Sequence, residues 1–172
     1  MPRESYHLLL PLLITAYKAL SGSAPFLDTE YNAAYMAQAA IKFMRHRIDR
    51  AYAFLVVDYL FSKNHGPMFN GFLGMVTKAG IPKPWYTSFL LLNELDENEL
   101  ALTVSNEPVD AVAARNQQGT RITIILVNFD ERAYADYVTD TTLLIDGLPE
   151  GRWRPTIRRI DKWHNNSFRA WE

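Results

Sequence analysis

Side chains able to give or take a proton are unevenly spread along the 172-residue chain. No Asp or Glu stands between Glu4 and Asp28; Asp28 and Glu30 then follow two residues apart, and Asp58 lies late in an apolar run. Two carboxyl groups held close together are the usual equipment for general acid and base work. Asp28 and Glu30 are the nearest candidates for such a pair. Each also has a simpler use, Asp28 with Thr29 as oxygens that cap a helix and Glu30 as a first-turn charge favourable to the helix dipole. The four histidines, His7, His46, His65 and His164, show no i, i+4 pairing and read as surface or loop residues rather than a metal motif. The chain has no Cys, which excludes disulfides, thiolate zinc sites and a cysteine nucleophile. No nucleophile elbow, phosphate-binding loop or dinucleotide fingerprint is present, so no cofactor and no metal are expected.

The elements that must position these residues follow from apolar patterning. Residues 6–17 form a continuous apolar run, the pattern of a strand covered on both faces. The small residues 21–25 end it. Residues 31–41 are Ala-rich and run into Lys42, Arg45, His46 and Arg47, a helix whose charges suit its dipole. A second apolar run over residues 51–60 completes strand, helix, strand in the order of a parallel crossover unit. Gly71 and Gly74 mark a loop, and Pro82-Lys83-Pro84 stands where proline is tolerated, ahead of a second helix over residues 85–95. Beyond Glu99 the pattern changes to short β-branched segments at 100–105, 109–115, 121–129, 141–145 and 152–160. The chain is therefore read as α/β over residues 1–98 and as all-β, an incomplete antiparallel sandwich, over residues 99–172.

Composition sets the outer limits. At 48% hydrophobic and 22% charged the chain carries enough apolar material for a folded core. With 18 basic against 19 acidic residues there is no electrostatic reason to expect nucleic acid or an anionic membrane as a partner. The N-terminal run imitates a secretory signal, but Glu4 offsets Arg3 and the run is far short of the ~20 apolar residues a membrane helix needs. It is read as a strand, and the protein as cytoplasmic.

Three stretches, taken in order, resemble glycoside hydrolase family 39, the family of β-xylosidases and α-L-iduronidases. The first is Asp28-Thr29 with Asn32-Ala33-Ala34-Tyr35; the second is Gly71-Phe72-Leu73-Gly74 leading to Gly80-Ile81-Pro82-Lys83-Pro84; the third is Arg158-Arg159-Ile160-Asp161 with His164 and Asn165-Asn166. The resemblance implies that the two apolar runs are the seventh and eighth strands, within the last two βα units, of a (β/α)8 barrel, with a site at their C-terminal ends. It also implies a partial antiparallel β-sandwich after them. A retaining glycosidase needs two carboxyl groups about 5 Å apart. By this resemblance the nucleophile position falls in Ile14-Thr15-Ala16-Tyr17, where Ala16 stands in place of the expected glutamate, and the strand that carries the acid/base glutamate is not among the implied strands. No catalytic residue is therefore expected in this chain. Asp58, Phe61, Phe69 and Asn70 are the substrate-binding candidates, with Tyr59, Trp85 and Tyr86 nearby and the last two assigned mainly to helix packing. A carbohydrate ligand is expected, together with a homo-oligomer or a partner chain that supplies the rest of the barrel. The alternatives are a non-catalytic carbohydrate-binding or scaffolding protein, and an unrelated α/β protein with an unassigned ligand.

Overall fold

The computed structural model describes residues 11–58, 68–105, 108–131 and 138–172. Strand β1 (Leu13–Tyr17) leads through a 3-10 turn (Pro25–Asp28) into helix α1 (Glu30–Arg45), which returns the chain to strand β2 (Arg50–Ala53). The two strands pair in parallel, as the order of the apolar runs predicts. Thr29, not Asp28, is the N-cap of α1: its side chain accepts the Tyr31 N–H, and Asp28 points elsewhere. Lys42 and Arg45 lie in the last turn, where cations stabilise the exposed carbonyls.

The register of β1 on β2 slips between Ile14 and Tyr17, so that β1 carries one extra residue opposite Ala51–Ala53. Such a bulge bends a strand and re-aims its side chains. Here it falls on Thr15 and Ala16, and Ala16 is exposed. The inner side of α1 packs on this pair: Ala33 and Met36 form a core cluster with Trp85, against which Tyr17 and Ala53 also rest. The other face of β1 and β2 has no cover among the described residues. Leu13 and Tyr52 on the strands are exposed, as are Leu12 and Val56 beside them, Val56 by 59%. Burial on both faces, expected for residues 6–17, is thus absent over the described part of that run, because α1 covers one face only.

After β2, residues 55–58 run beside 73–76, with Met75 N donating to Leu55 O at 3.0 Å, Val76 N to Val56 O at 3.0 Å and Asp58 N to Val76 O at 3.0 Å. Helix α2 (Pro84–Leu92) follows, with Pro84 at its first turn and Trp85 fully enclosed. Strands β3 (Asn98–Glu99), β4 (Val109–Arg115) and β5 (Ile122–Asn128) then form an antiparallel sheet. Alternation places Val112 and Val127 on one face, and these side chains share a core with Ala37 and Ile41 of α1. One helix therefore serves two sheets, with different faces.

Of the five short segments expected after Glu99, two are β4 and β5. The expected strand over 100–105 stops at its first rung, where Leu100 N donates to Ala113 O at 2.8 Å. The next rung is occupied from α1: Arg45 Nη2 donates to Ala111 O at 2.6 Å, Arg45 Nη1 pairs with Asp110 Oδ1 at 2.6 Å, and that oxygen also accepts the Ala111 N–H at 2.8 Å. An ion pair stands in for a strand and blunts the edge. Segments 141–145 and 152–160 form no ladder among the described residues and leave Leu144 and Ile157 in water. A short C-terminal helix α3 (Ser167–Trp171), unexpected from the sequence, closes the chain.

Ile41 is 0% exposed at the junction of α1 with the β4–β5 sheet. Ile41→Ala is expected to cost about 2–5 kcal/mol. Urea unfolding followed separately by helical and by sheet signals checks it: both transitions move together, whereas a sheet transition left in place would show that the two parts do not share this core.

Candidate functional site

The strand ends are organised around a lysine with no exposure to solvent. Lys83 is 0% exposed, and its ammonium lies 2.6 Å from Asp28 Oδ1, 2.7 Å from Asp58 Oδ2 and 2.9 Å from the carbonyl of Phe72, to which it donates. Three protons meet three acceptors. The outer carboxylate oxygens are met by backbone donors: the Gly74 N–H at Asp58 Oδ1, 2.6 Å, and the Gly71 N–H at Asp28 Oδ2. The cluster thus gathers the turn after β1, the segment after β2 and the glycine loop onto one side chain. Two of those glycines are required by close approach. A Cβ at Gly74 would collide with the backbone nitrogen and carboxylate of Asp58, and one at Gly71, which also holds φ at +68°, would strike Ala24 O.

Electrostatically the cluster is unbalanced, with two carboxylates to one ammonium. Burial pushes the Asp28 carboxyl above the ordinary aspartate range, and the nearby Asp58 charge adds to this, while Lys83 and the Gly71 N–H pull the other way. Both carboxylates lie within one hydrogen bond of the same nitrogen, so the spacing alone would suit an acid/base pair. Access does not: Asp28 is 1% and Asp58 0% exposed. What Asp58 holds is the loop at Gly74. Glu30 turns away from Asp28, accepting from Asn166 Nδ2 at 2.7 Å and pairing with Arg169 at 3.3 Å, so the Asp28 and Glu30 carboxyl groups have different partners.

The remaining sequence candidates are placed as follows. Ala16 is exposed at the bulge near the end of β1. Phe69 is buried; it packs edge-on against Phe168 at 5.5 Å and lies tilted against Trp171 at 5.6 Å. Asn70 is half-buried and its Oδ1 accepts the Phe72 N–H at 3.1 Å, folding the side chain over Gly71. Phe61 and Tyr59 lie outside the described residues. Trp85 belongs to the core and donates Nε1–H to Gly74 O at 3.1 Å. Tyr17, next to Ala16, is half-buried against Phe43; burial and the neighbouring Tyr35 push its hydroxyl up to about 12. At neutral pH it is a phenol, not a phenolate. Sequence reasoning missed Lys83 as the centre: the prolines on either side restrict its backbone, but the partners that hold its side chain lie far off in sequence. A cleft of about 300 Å³ beside Arg45, Glu99 and the β4 edge holds no acid/base pair.

A family model for glycosyl hydrolases family 39 matches residues 7–172. The chain belongs to glycosyl hydrolase family 39. A beta-xylosidase from Caldicellulosiruptor saccharolyticus is 22% identical over 167 residues, which cover 94% of this chain and 33% of that protein. The chain thus spans about a third of the length of the curated relative it matches. Two solved structures share the fold: the family 39 enzyme from Xanthomonas axonopodis pv. citri, at a TM-score of 0.59 and 21% identity over 74% of this chain and 24% of that one, and a glucosidase from Croceicoccus marinus, at 0.55 and 24% over 69% and 25%.

Lys83→Met would leave two carboxylates facing each other without a cation, and the loss expected for a broken buried pair is about 3–5 kcal/mol. The variant should also gain a pH dependence of definite sign. A carboxyl whose folded pKa lies above its unfolded value binds its proton more tightly in the native state, so stability falls as pH rises through that window. Removing Lys83 takes away the strongest influence that lowers the Asp28 carboxyl and so raises it further. The gap in urea midpoint between wild type and Lys83→Met should therefore narrow on going from about pH 8 to about pH 5; a gap that is constant or widens would contradict the assignment.

Proposed function

We propose that β1 and β2 are the seventh and eighth strands of a (β/α)8 barrel, and that this chain supplies the C-terminal part of a retaining glycosidase whose two catalytic carboxylates it does not carry. The observation that bears most weight is Ala16. A methyl group stands where the family resemblance puts the nucleophile, and it cannot form a glycosyl ester. The nearby carboxylates are no substitute, because Asp28 and Asp58 are enclosed on Lys83. Tyr17 is no substitute either, since its hydroxyl stays protonated.

The uncovered face of β1 and β2 supports the same reading. Two strands cannot close a barrel, and exposed apolar side chains such as Leu12, Leu13, Tyr52 and Val56 call for cover. That cover, we propose, is the rest of the barrel, from polypeptide outside these 172 residues, and it brings the acid/base glutamate with it; a second copy of the chain is the alternative cover. The substrate class follows from the beta-xylosidase relative: a β-xyloside, bound near the loop that carries Phe69 and Asn70 and is shaped by Asp58.

Purified alone, the chain should not hydrolyse an aryl β-xyloside, and should not run as a clean monomer in sizing at low concentration. Adding a polypeptide with the first six barrel strands of a family 39 enzyme should restore turnover. Hydrolysis by the chain alone would overturn the proposal; sugar binding with no turnover in either condition would favour a non-catalytic binding protein.

A further inference from the structure

The turn between Arg159 and Asn166 is fixed by more bonds than its length requires. Asp161 Oδ1 accepts the backbone N–H of Trp163 at 2.7 Å and of His164 at 2.8 Å, and lies 2.8 Å from Nδ1 of the His164 ring. Arg159 closes the other side, with Nε 3.1 Å from Asp161 Oδ2 and a terminal nitrogen 3.1 Å from His164 Nε2. Asn165, in the left-handed region at φ +50°, donates Nδ2–H to Arg159 O at 2.8 Å, and Asn166 donates to Asp161 O at 3.0 Å. Asn166 and Arg169 then tie the turn to Glu30 at the start of α1.

All this order presents one large side chain to water. Trp163 sits at the tip of the turn and is 79% exposed. Its ring has the Lys162 ammonium 5.2 Å from the centroid on one face, and that degree of exposure leaves the other face open. An indole buries readily and has no local reason to stand in solvent, so a turn that holds it there has fixed a flat apolar platform in advance of any ligand.

We propose that Trp163 is a stacking platform for a pyranose ring of a β-linked, xylan-type polysaccharide, a sugar contact that uses none of the residues at the strand ends. An all-equatorial pyranose is apolar on its axial C–H faces and polar around its rim, which matches an indole bordered by hydrogen-bonding side chains. The neighbours of Trp163 in the turn are Asp161, Lys162, His164 and Asn165, with Arg159 behind them. A hot spot for another protein sits instead within surrounding contacts that exclude water. A charged, hydrated border favours a hydroxyl-rich ligand. The inference rests on the reading of this chain as a carbohydrate-active protein, and it stands or falls on a different measurement.

The measurement is retention of the full chain in gels containing soluble arabinoxylan, with titration by xylohexaose. Trp163→Ala should weaken binding about tenfold, equivalent to roughly 1.4 kcal/mol, while Trp163→Tyr keeps most of it and Trp153→Ala leaves it unchanged. Matching thermal transitions for the three variants show that the fold is intact. Unchanged binding in Trp163→Ala, equal loss in Trp153→Ala, absence of xylan binding by the wild type, or a change in oligomer size with binding intact would each overturn the proposal. Complementation of hydrolysis without xylan retention defeats this inference alone, and retention through Trp163 without complementation defeats only the split-glycosidase reading.

Discussion

Lys83 holds together three segments that the chain visits far apart in sequence. Taking an ammonium and two carboxylates out of water costs several kcal/mol for each ion, so such a cluster persists only if every charge finds close partners. Here each does. The ammonium uses its three protons on Asp28, Asp58 and the Phe72 carbonyl, and each carboxylate turns its second oxygen to a glycine N–H. The glycines belong to the same requirement, because a Cβ at Gly74 would occupy the space of the Asp58 carboxylate. The turn after β1, the segment after β2, the glycine loop and the entrance to α2 are thereby referred to one atom, Lys83 Nζ.

That centre explains how a small α/β unit stays ordered with one open face. Helix α1 covers only one side of β1 and β2 and uses another side for the β4–β5 sheet, through Ala37, Ile41, Val112 and Val127. Arg45 at its C-terminal end then ends the β4 edge: its guanidinium donates to Ala111 O, and the Asp110 carboxylate it pairs with accepts the Ala111 N–H, the two partners a strand would have given. The apolar side chains left over, on the far face of β1 and β2 and along residues 138–157, are where the described residues lack a second layer. Polar order is concentrated at the strand ends and unmet apolar surface at the sheet faces.

Much of this was legible from residue patterns. The order of apolar run, Ala-rich helix and apolar run gives the parallel pair, and the Pro-Lys-Pro entrance gives α2, because these depend on local propensity and period. The short β-branched segments at 109–115 and 121–129 gave β4 and β5 for the same reason. What was illegible depended on partners distant in sequence. Asp28 followed by Thr29 reads as a capping oxygen, but Lys83, 55 positions on, competes for its carboxylate and wins, leaving Thr29 to cap α1. Residues 100–105 have strand composition, yet the helix-borne Arg45 reaches the β4 edge first. The segments 141–145 and 152–160 have strand composition too, and composition alone supplies no neighbour to pair with.

Membership of family 39 and the proposed absence of its chemistry are not in conflict, since they rest on different residues. Two of the three stretches that carry the family resemblance, the one that opens with Asp28-Thr29 and the one that runs from Gly71 to the Pro-Lys-Pro entrance, are those that build the Lys83 cluster and its loops. They specify a rim. Under the proposed reading the chemistry needs only two further carboxyl groups, and one of them would stand at Ala16, a surface position at a bulge where no packing penalty opposes its loss. Ala16→Glu could therefore be accommodated without disturbing the core, whereas any change at Lys83 could not. Under that reading the fold rests on buried charge and the activity on an exposed position, so that loss of the second leaves the first intact.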